Sequence, residues 1–319
     1  MHRRNFHRLA AAALATPFLA RQARAQDART VRFVHVKAAA AAVVYFYERF
    51  APPGLKIEII GVDVPADAKN ALLSGSADIA NAGIGTAISA SVNGEPVVVF
   101  GDFLDGSINI TGRADQAIDG LRGLKGKRVG LQAGSTQELV FNARLRQEGM
   151  SIRDVQVVRL TFGEMAQALI RGDIDAFVGT EPSSGVAVTS GAGKVVEYPY
   201  STAMGKLNAA LLTRPEVLAE KRDLVRGFLL AHARASEFLR ANPAAFVDMG
   251  VERYGVRRDA MEVAVRNVEP AWRIDDAFKE RAGHFAQAML EAKQIRRLPD
   301  LDRLIDRSVS DEVAKQGLA

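Results

Sequence analysis

Leu124-Lys125-Gly126-Lys127-Arg128-Val129-Gly130-Leu131, with Gly134-Ser135-Thr136 close behind, decides how this chain is read. A tight turn runs into a short β-rich strand, and a hydroxyl residue then stands where a helix begins. The same alternation already fills the chain upstream. There is a strand over 31–36, a helical stretch over 39–50 closed by Pro52-Pro53-Gly54, and a strand over 56–62. A helix follows from Pro65, which suits a first helical position because it has no N–H to lose. Brief strands over 78–80 and 96–100 complete the first unit. After Gly120 the pattern restarts, with a strand over 128–131, a helix over 135–148 and a strand over 155–160. A helix over 164–171, a strand over 174–178, a helix opened by Pro182 and a strand over 195–198 follow. Strands and helices alternating at this length predict an α/β fold with parallel pairing and right-handed crossovers.

The chain therefore holds two α/β units of similar plan, each a mainly parallel sheet flanked by helices. From Pro215 onward it is helical and charged, with apolar residues at three- and four-residue steps such as Leu224, Phe228, Leu229, Ala231 and Ala235. Crossings near 102–113 and 200–208 predict one lobe from 28–105 plus 205–319 and a second from 106–204. A hinge of two strands permits closure about a cleft.

The first twenty-five residues read as a cleaved export signal: a charged start, an apolar run over 9–19, and Ala23-Arg24-Ala25 before Gln26. That run is shorter than the roughly 20 residues a bilayer requires. Arg3-Arg4 resembles a twin-arginine signal, and a general secretory signal with a chance arginine pair is the alternative. The chain carries 42 Lys+Arg against 37 Asp+Glu; without the five arginines of this segment, the balance is 37 to 37. The basic pI then gives no reason to expect nucleic acid as a partner. Cysteine is absent, which excludes disulfides, thiolate metal sites and a lipid-anchored cysteine. The expectation is a monomeric protein free in the periplasm, without metal or cofactor. No Gly-x-Ser-x-Gly elbow, His-Glu-x-x-His helix or P-loop points to an enzyme.

Three motifs carry a resemblance. They are Ala71-Leu72-Leu73-Ser74-Gly75-Ser76-Ala77-Asp78-Ile79-Ala80 with Gly83-Ile84-Gly85-Thr86, then the 124–136 stretch, then Ala168-Leu169-Ile170-Arg171-Gly172-Asp173-Ile174-Asp175-Ala176. Together, over about residues 30–245, the chain resembles the SsuA-like (sulfonate/nitrate/taurine-type) solute-binding proteins of ABC importers, whose pyrimidine-precursor-binding relatives share the pattern. The resemblance implies a two-lobed, type II-like periplasmic binding protein. Such a protein would capture a small organic solute, anionic or zwitterionic and heterocyclic, and pass it to an ABC permease. Two alternatives stay open: an enzyme of the pyrimidine-precursor-synthase type, and a ligand sensor for a non-ABC partner. Those synthases use a reactive His and a Cys-rich iron site, whereas this chain has no Cys.

The candidate ligand contacts follow from where helices begin. Gly134, Ser135 and Thr136 place free N–H groups and roughly half a positive charge at one helix start, and Gly83, Gly85 and Thr86 do so at another. Ser135 and Thr86 acting only as helix caps is the plainer reading. Lys37 and Ala38 follow the first strand, at the sheet edge where ligands lie; a solvated lysine is as reasonable there. Thr180 and Glu181 end a strand before Pro182, where the resemblance implies a polar or acidic ligand contact, with Glu181 facing an amine or ring N–H. Its alternative is an acid favoured by the helix dipole. Asn208 marks the return crossing, and Phe162, Phe103 and Tyr45 are candidate apolar walls. His35 reads as a hydrogen-bonded core histidine. Arg253, Arg257, Arg258, Arg296 and Arg297 form either a docking surface or a solvated face.

Overall fold

The computed structural model describes residues 29–317; the expected export signal lies outside them. Eleven strands form two sheets among the described residues. The first sheet contains β1 (Thr30–Val36), β2 (Lys56–Val62), β3 (Ile79–Gly83), β4 (Val98–Gly106), β10 (Leu207–Thr213) and β11 (Val268–Pro270). Its order is β2-β1-β3-β10-β4-β11. The second contains β5 (Ile108–Arg113), β6 (Arg128–Leu131), β7 (Gln156–Arg159), β8 (Ala176–Thr180) and β9 (Gly193–Glu197), in the order β7-β6-β8-β5-β9.

Each sheet has a parallel three-strand core: β2, β1 and β3 in one, β7, β6 and β8 in the other. The strands beside each core run antiparallel to it. The sheets are thus mixed rather than mainly parallel. The reason is topological, because a strand that has just crossed from the other lobe enters from the opposite end.

The crossing itself is shorter than the 102–113 stretch suggests. β4 runs to Gly106 and β5 starts at Ile108, so Ser107 alone turns the chain between sheets, with φ at 59°. That left-handed conformation is uncommon for a residue bearing a Cβ. It is held by bonds: Ser107 N donates to Asn267 O, Ser107 Oγ pairs with Thr180 Oγ1 at 2.7 Å, and Glu181 N donates to Ser107 Oγ at 3.0 Å.

One construction secures both parallel cores. Asp78 accepts from the main-chain N and Nε of Arg32 on β1, while Arg32 also reaches Gly75 O. In the second sheet Asp175 accepts from the main-chain N and Nε of Arg128 on β6, while Arg128 reaches Gly172 O. Gly75 and Gly172 have φ near +80°, the left-handed geometry that ends a helix.

Helix Arg222–Ala241 covers one face of the first sheet, where Phe228 packs on Phe33 at 4.9 Å between ring centres and Tyr47, Phe103 and His232 complete the aromatic cluster. The tail does more than cover this sheet. Helix Arg258–Ala264 packs on helix Ser183–Thr189 of the second lobe, so closely that a Cβ on Gly185 would lie 2.1 Å from Ala260 O. Helix Asp276–Glu291 touches both helix Ile84–Val92 and helix Thr136–Gln147. No helix among the described residues is long and apolar enough to cross a membrane.

Candidate functional site

The ends of β1, β3 and β10 in one lobe face the starts of helices Thr136–Gln147 and Phe162–Arg171 in the other. Between them is an inner cavity with about 580 Å³ of space, its solvent mouth included. The structure brings nine of the twelve candidate residues to its wall: Ala38, Gly83 and Thr86, then Gly134, Ser135 and Thr136, then Phe162, Thr180 and Asn208. Phe103 adds an apolar surface, while Tyr45 stands apart and pairs with Tyr254.

Local chemistry places these groups. Gly83 is the extended residue before helix Ile84–Val92. Ser135 caps helix Thr136–Gln147, accepting from Glu138 N at 3.2 Å while its own Oγ donates to Gln132 O. The lobes meet at Thr136, whose Oγ1 donates to Asn208 O at 3.0 Å. A Cβ on Gly83 would sit 2.4 Å from that same Oγ1. Glycine here allows the two helix starts to approach.

The electrostatics differ from two bare positive helix ends. The Glu138 carboxylate accepts from Gly134 N at 2.8 Å and from Arg159 at 2.6 Å, so it already satisfies part of one helix start. No ionisable side chain lines the inner cavity among the described residues. Its polar groups are neutral amides and hydroxyls.

Three candidates are placed elsewhere. Gly85 faces away from the cavity, and a Cβ there would meet Leu139 and Met289, so it is a packing glycine between helices. Lys37 pairs with Asp63 at 2.9 Å, half-exposed, on an outer groove rather than in the inner cavity. Glu181 is 1% exposed. Its carboxylate accepts from both Ser184 Oγ (2.6 and 2.7 Å) and Asn267 Nδ2 (2.9 Å), with Asn109 Nδ2 at 3.3 Å. Burial pushes this carboxyl above the usual carboxylate range, against the pull of those donors. Glu181 therefore anchors the hinge, since Asn267 also donates to Ile108 O and accepts from Tyr200 OH.

His35 is a buried residue, with Nδ1 3.2 Å from Val36 O, and burial lowers it to about 4. His232 lies between Tyr47 OH and Ala271 O, and burial likewise lowers it to about 4.

Sequence reasoning missed Asn81, Gln137 and the wall formed by Val36, Ala40 and Ala41. Asn81 sits on β3 and accepts from Val36 N, fixing the neighbouring strand end. A polar residue inside an otherwise apolar, buried parallel strand was the available signal.

The NMT1/THI5-like family model matches residues 45–246. A binding protein of Brucella abortus (strain 2308) is 26% identical over 172 residues, 50% of this chain and 53% of the relative. The chain spans about half the length of that curated relative. The 4-amino-5-hydroxymethyl-2-methylpyrimidine phosphate synthase of Aspergillus parasiticus is 26% identical over 218 residues, 63% of each. Among solved structures, the alkanesulfonate-binding protein SsuA from Xanthomonas axonopodis pv. citri, bound to MOPS, superposes with a TM-score of 0.77. The identity is 17%, over 88% of this chain and 99% of that one. The match covers well over half of the sequence, and the chain belongs to the NMT1/THI5-like family, with the two-lobed fold of periplasmic solute-binding proteins.

Proposed function

We propose that this chain is the solute-binding component of an ABC importer, which captures a small organic molecule in the inter-lobe cavity and delivers it to a permease in the inner membrane. One observation carries the reading: the cavity lies where the two lobes meet, beside the Thr136–Asn208 contact, and offers neutral amides and hydroxyls without any ionisable side chain among the described residues. Such a lining can orient a ligand, yet offers its hydroxyls no general base to activate them. Ser135, Thr136, Thr86, Thr180, Asn81, Gln137 and Asn208 are the proposed polar contacts, with Phe103 and Phe162 as walls. Two helix starts favour an anionic or zwitterionic head. The absence of a lysine or arginine favours an organic solute over a bare inorganic anion. Export to the periplasm, ahead of a monomeric mature chain, belongs to the same proposal.

The synthase reading has one observation in its favour, the similarity to the Aspergillus enzyme. It lacks a reactive group at the site, because His35 and His232 are held in the interior and neither lines the cavity.

A thermal-shift panel of taurine, short sulfonates, aromatic acids, pyrimidines and flavins tests the binding reading. A cognate solute at a hundred times its Kd adds about 2.7 kcal/mol of stability, a rise of several degrees. A panel without any shift counts against it.

A further inference from the structure

The large apolar side chains exposed among the described residues are Ile59, Ile60, Val64, Tyr198 and Leu298, and the first three fall close together in one short stretch. Ile59 and Ile60 lie on β2, the outermost strand of the first sheet. β2 pairs with β1 along its whole length without a register shift, and it contains no proline. The direction of its remaining backbone groups follows from that pairing. Lys56 N donates to Arg29 O, and Val62 O accepts from Lys37 N, so Lys56, Glu58, Ile60 and Val62 turn their main chain toward β1. Alternation along the strand then turns the N–H and C=O groups of Ile57, Ile59 and Gly61 to the open edge. No described strand lies beyond them. The charges that usually blunt such an edge are already engaged. Lys56 pairs with Glu58 at 2.9 Å, and Asp63 pairs with Lys37 at 2.9 Å.

This row of outward groups is symmetric about Ile59. A second copy, rotated by half a turn about an axis through Ile59 and normal to the sheet, lays its β2 antiparallel to the first. Ile59 then stands opposite Ile59 of the second copy, and Ile57 opposite Gly61 on either side. Such pairs exchange both of their hydrogen bonds, so every outward group on both strands is satisfied. On the other face Ile60 meets the aliphatic stem of Glu58. We infer that β2 is a self-association edge, through which two copies join their first sheets into one continuous sheet. The contact is isologous, so it closes at a dimer. A single strand pair buries less than the roughly 1,200 Å² of stable complexes, which makes the dimer weak and dependent on concentration. The monomer of the proposed function is its dilute form. Ile57, Ile59, Ile60 and Gly61 line neither the inner cavity nor the outer groove, so self-association is separable from solute binding.

The test is sedimentation equilibrium of the folded mature chain between about 1 µM and about 1 mM, where the average mass should climb toward twice the monomer value. Ile59→Lys and Ile59→Glu each set like charges directly opposite one another across the axis, and each alone should stay monomeric. Mixed in equal amounts, the two variants should regain the dimer, at least about tenfold tighter than either alone, because opposite charges then face each other. That recovery also shows both variants to be folded. Ile59→Cys gives a second readout, since the chain has no other cysteine. Mild oxidation should link two copies at this position severalfold faster than at Ile60→Cys, which is offset from its own equivalent across the axis. A chain that stays monomeric to the highest concentration would overturn the edge. A dimer that survives both charged variants would overturn it too, as would a loss that mixing does not reverse. None of these outcomes touches the solute-binding reading, which the thermal-shift panel decides by itself.

Discussion

Thr136 Oγ1 donates to the main-chain oxygen of Asn208 at 3.0 Å, joining a helix start of the second lobe to the central β10 of the first. The bond forms only across the cleft, so its strength contributes to closure and not to the stability of either lobe alone. Thr136→Val keeps the shape and removes the donor. A neutral hydrogen bond contributes about 1 kcal/mol net, so solute affinity should fall roughly fivefold, with little change in the melting temperature of the unliganded protein. Calorimetry with any ligand from the panel checks this, and unchanged affinity would place the solute away from that contact.

Gly83→Ala is the steric counterpart. The added methyl would lie 2.4 Å from Thr136 Oγ1, a separation that real Cβ atoms do not tolerate. Strand β3 keeps its pairings, so each lobe folds, but the helix starts cannot approach as closely. Affinity should drop by more than tenfold, and small-angle scattering should show the bound form no more compact than the free one. A compact bound form would show that closure uses another contact.

Most of the fold was legible because parallel strands and their helices write themselves into local pattern. The turn at Gly126, the strand at Val129 and the cap at Ser135 all lie within one short stretch and need no distant partner. Asp78 and Asp175 were visible only as parts of motifs; that each locks the arginine of a parallel strand depends on pairing between segments far apart in sequence. The same limit explains Glu181. Its place before Pro182 suggested a ligand contact, whereas its carboxylate is taken by Asn267, from a region where the sequence reads only as charged helix. Five of the nine cavity residues, Gly83, Thr86, Gly134, Ser135 and Thr136, were found because helix starts announce themselves, and Gly85 misled because a glycine for packing looks like a glycine for ligand approach.

Asn267→Ala should therefore destabilise the protein more than a half-exposed residue would. The change takes one donor from the buried Glu181 carboxylate, which keeps Ser184 and Asn109, and one acceptor from the Tyr200 hydroxyl, which keeps Ile108. A lost hydrogen bond costs about 1.5–3 kcal/mol where one partner is charged and about 1 kcal/mol where both are neutral. Asn267→Asp should be worse at neutral pH, since it sets a second carboxylate against Glu181. Denaturant melts give both numbers, and an Ala variant as stable as the parent would contradict the hinge role.

Acid should weaken the fold through its two buried histidines. His35 and His232 sit at about 4 when folded, against about 6.5 in an unfolded chain. The unfolded state thus binds more protons below pH 6.5, and stability is lost as pH falls from there toward 4, by roughly 3 kcal/mol for each histidine as an upper figure. Asp175, held well below the usual range by the Arg128 guanidinium, adds a further loss below about pH 4. Glu181, Asp102 and Asp105, all raised by burial, contribute in the opposite direction. The melting temperature should decline steadily between pH 6.5 and 4.5. A flat profile, or imidazole signals of His35 and His232 titrating near 6.5 by NMR, would contradict their burial as neutral rings.

The charge of the solute head can be read through Glu138. Its carboxylate occupies Gly134 N and pairs with Arg159, so the helix start beside the cavity already holds one negative group. An anionic head bound near Ser135 is repelled by that charge, whereas a cationic or ring N–H group is attracted to it. Glu138→Gln keeps an oxygen for Gly134 N, removes the charge, and leaves Arg159 without its carboxylate. If the head is anionic, affinity should rise severalfold at low salt, and the gain should shrink as salt screens the interaction. If the head is cationic, affinity should fall by a similar factor. No change at either ionic strength would mean that the head lies beyond the reach of this helix start, on the Asn81 side of the cavity.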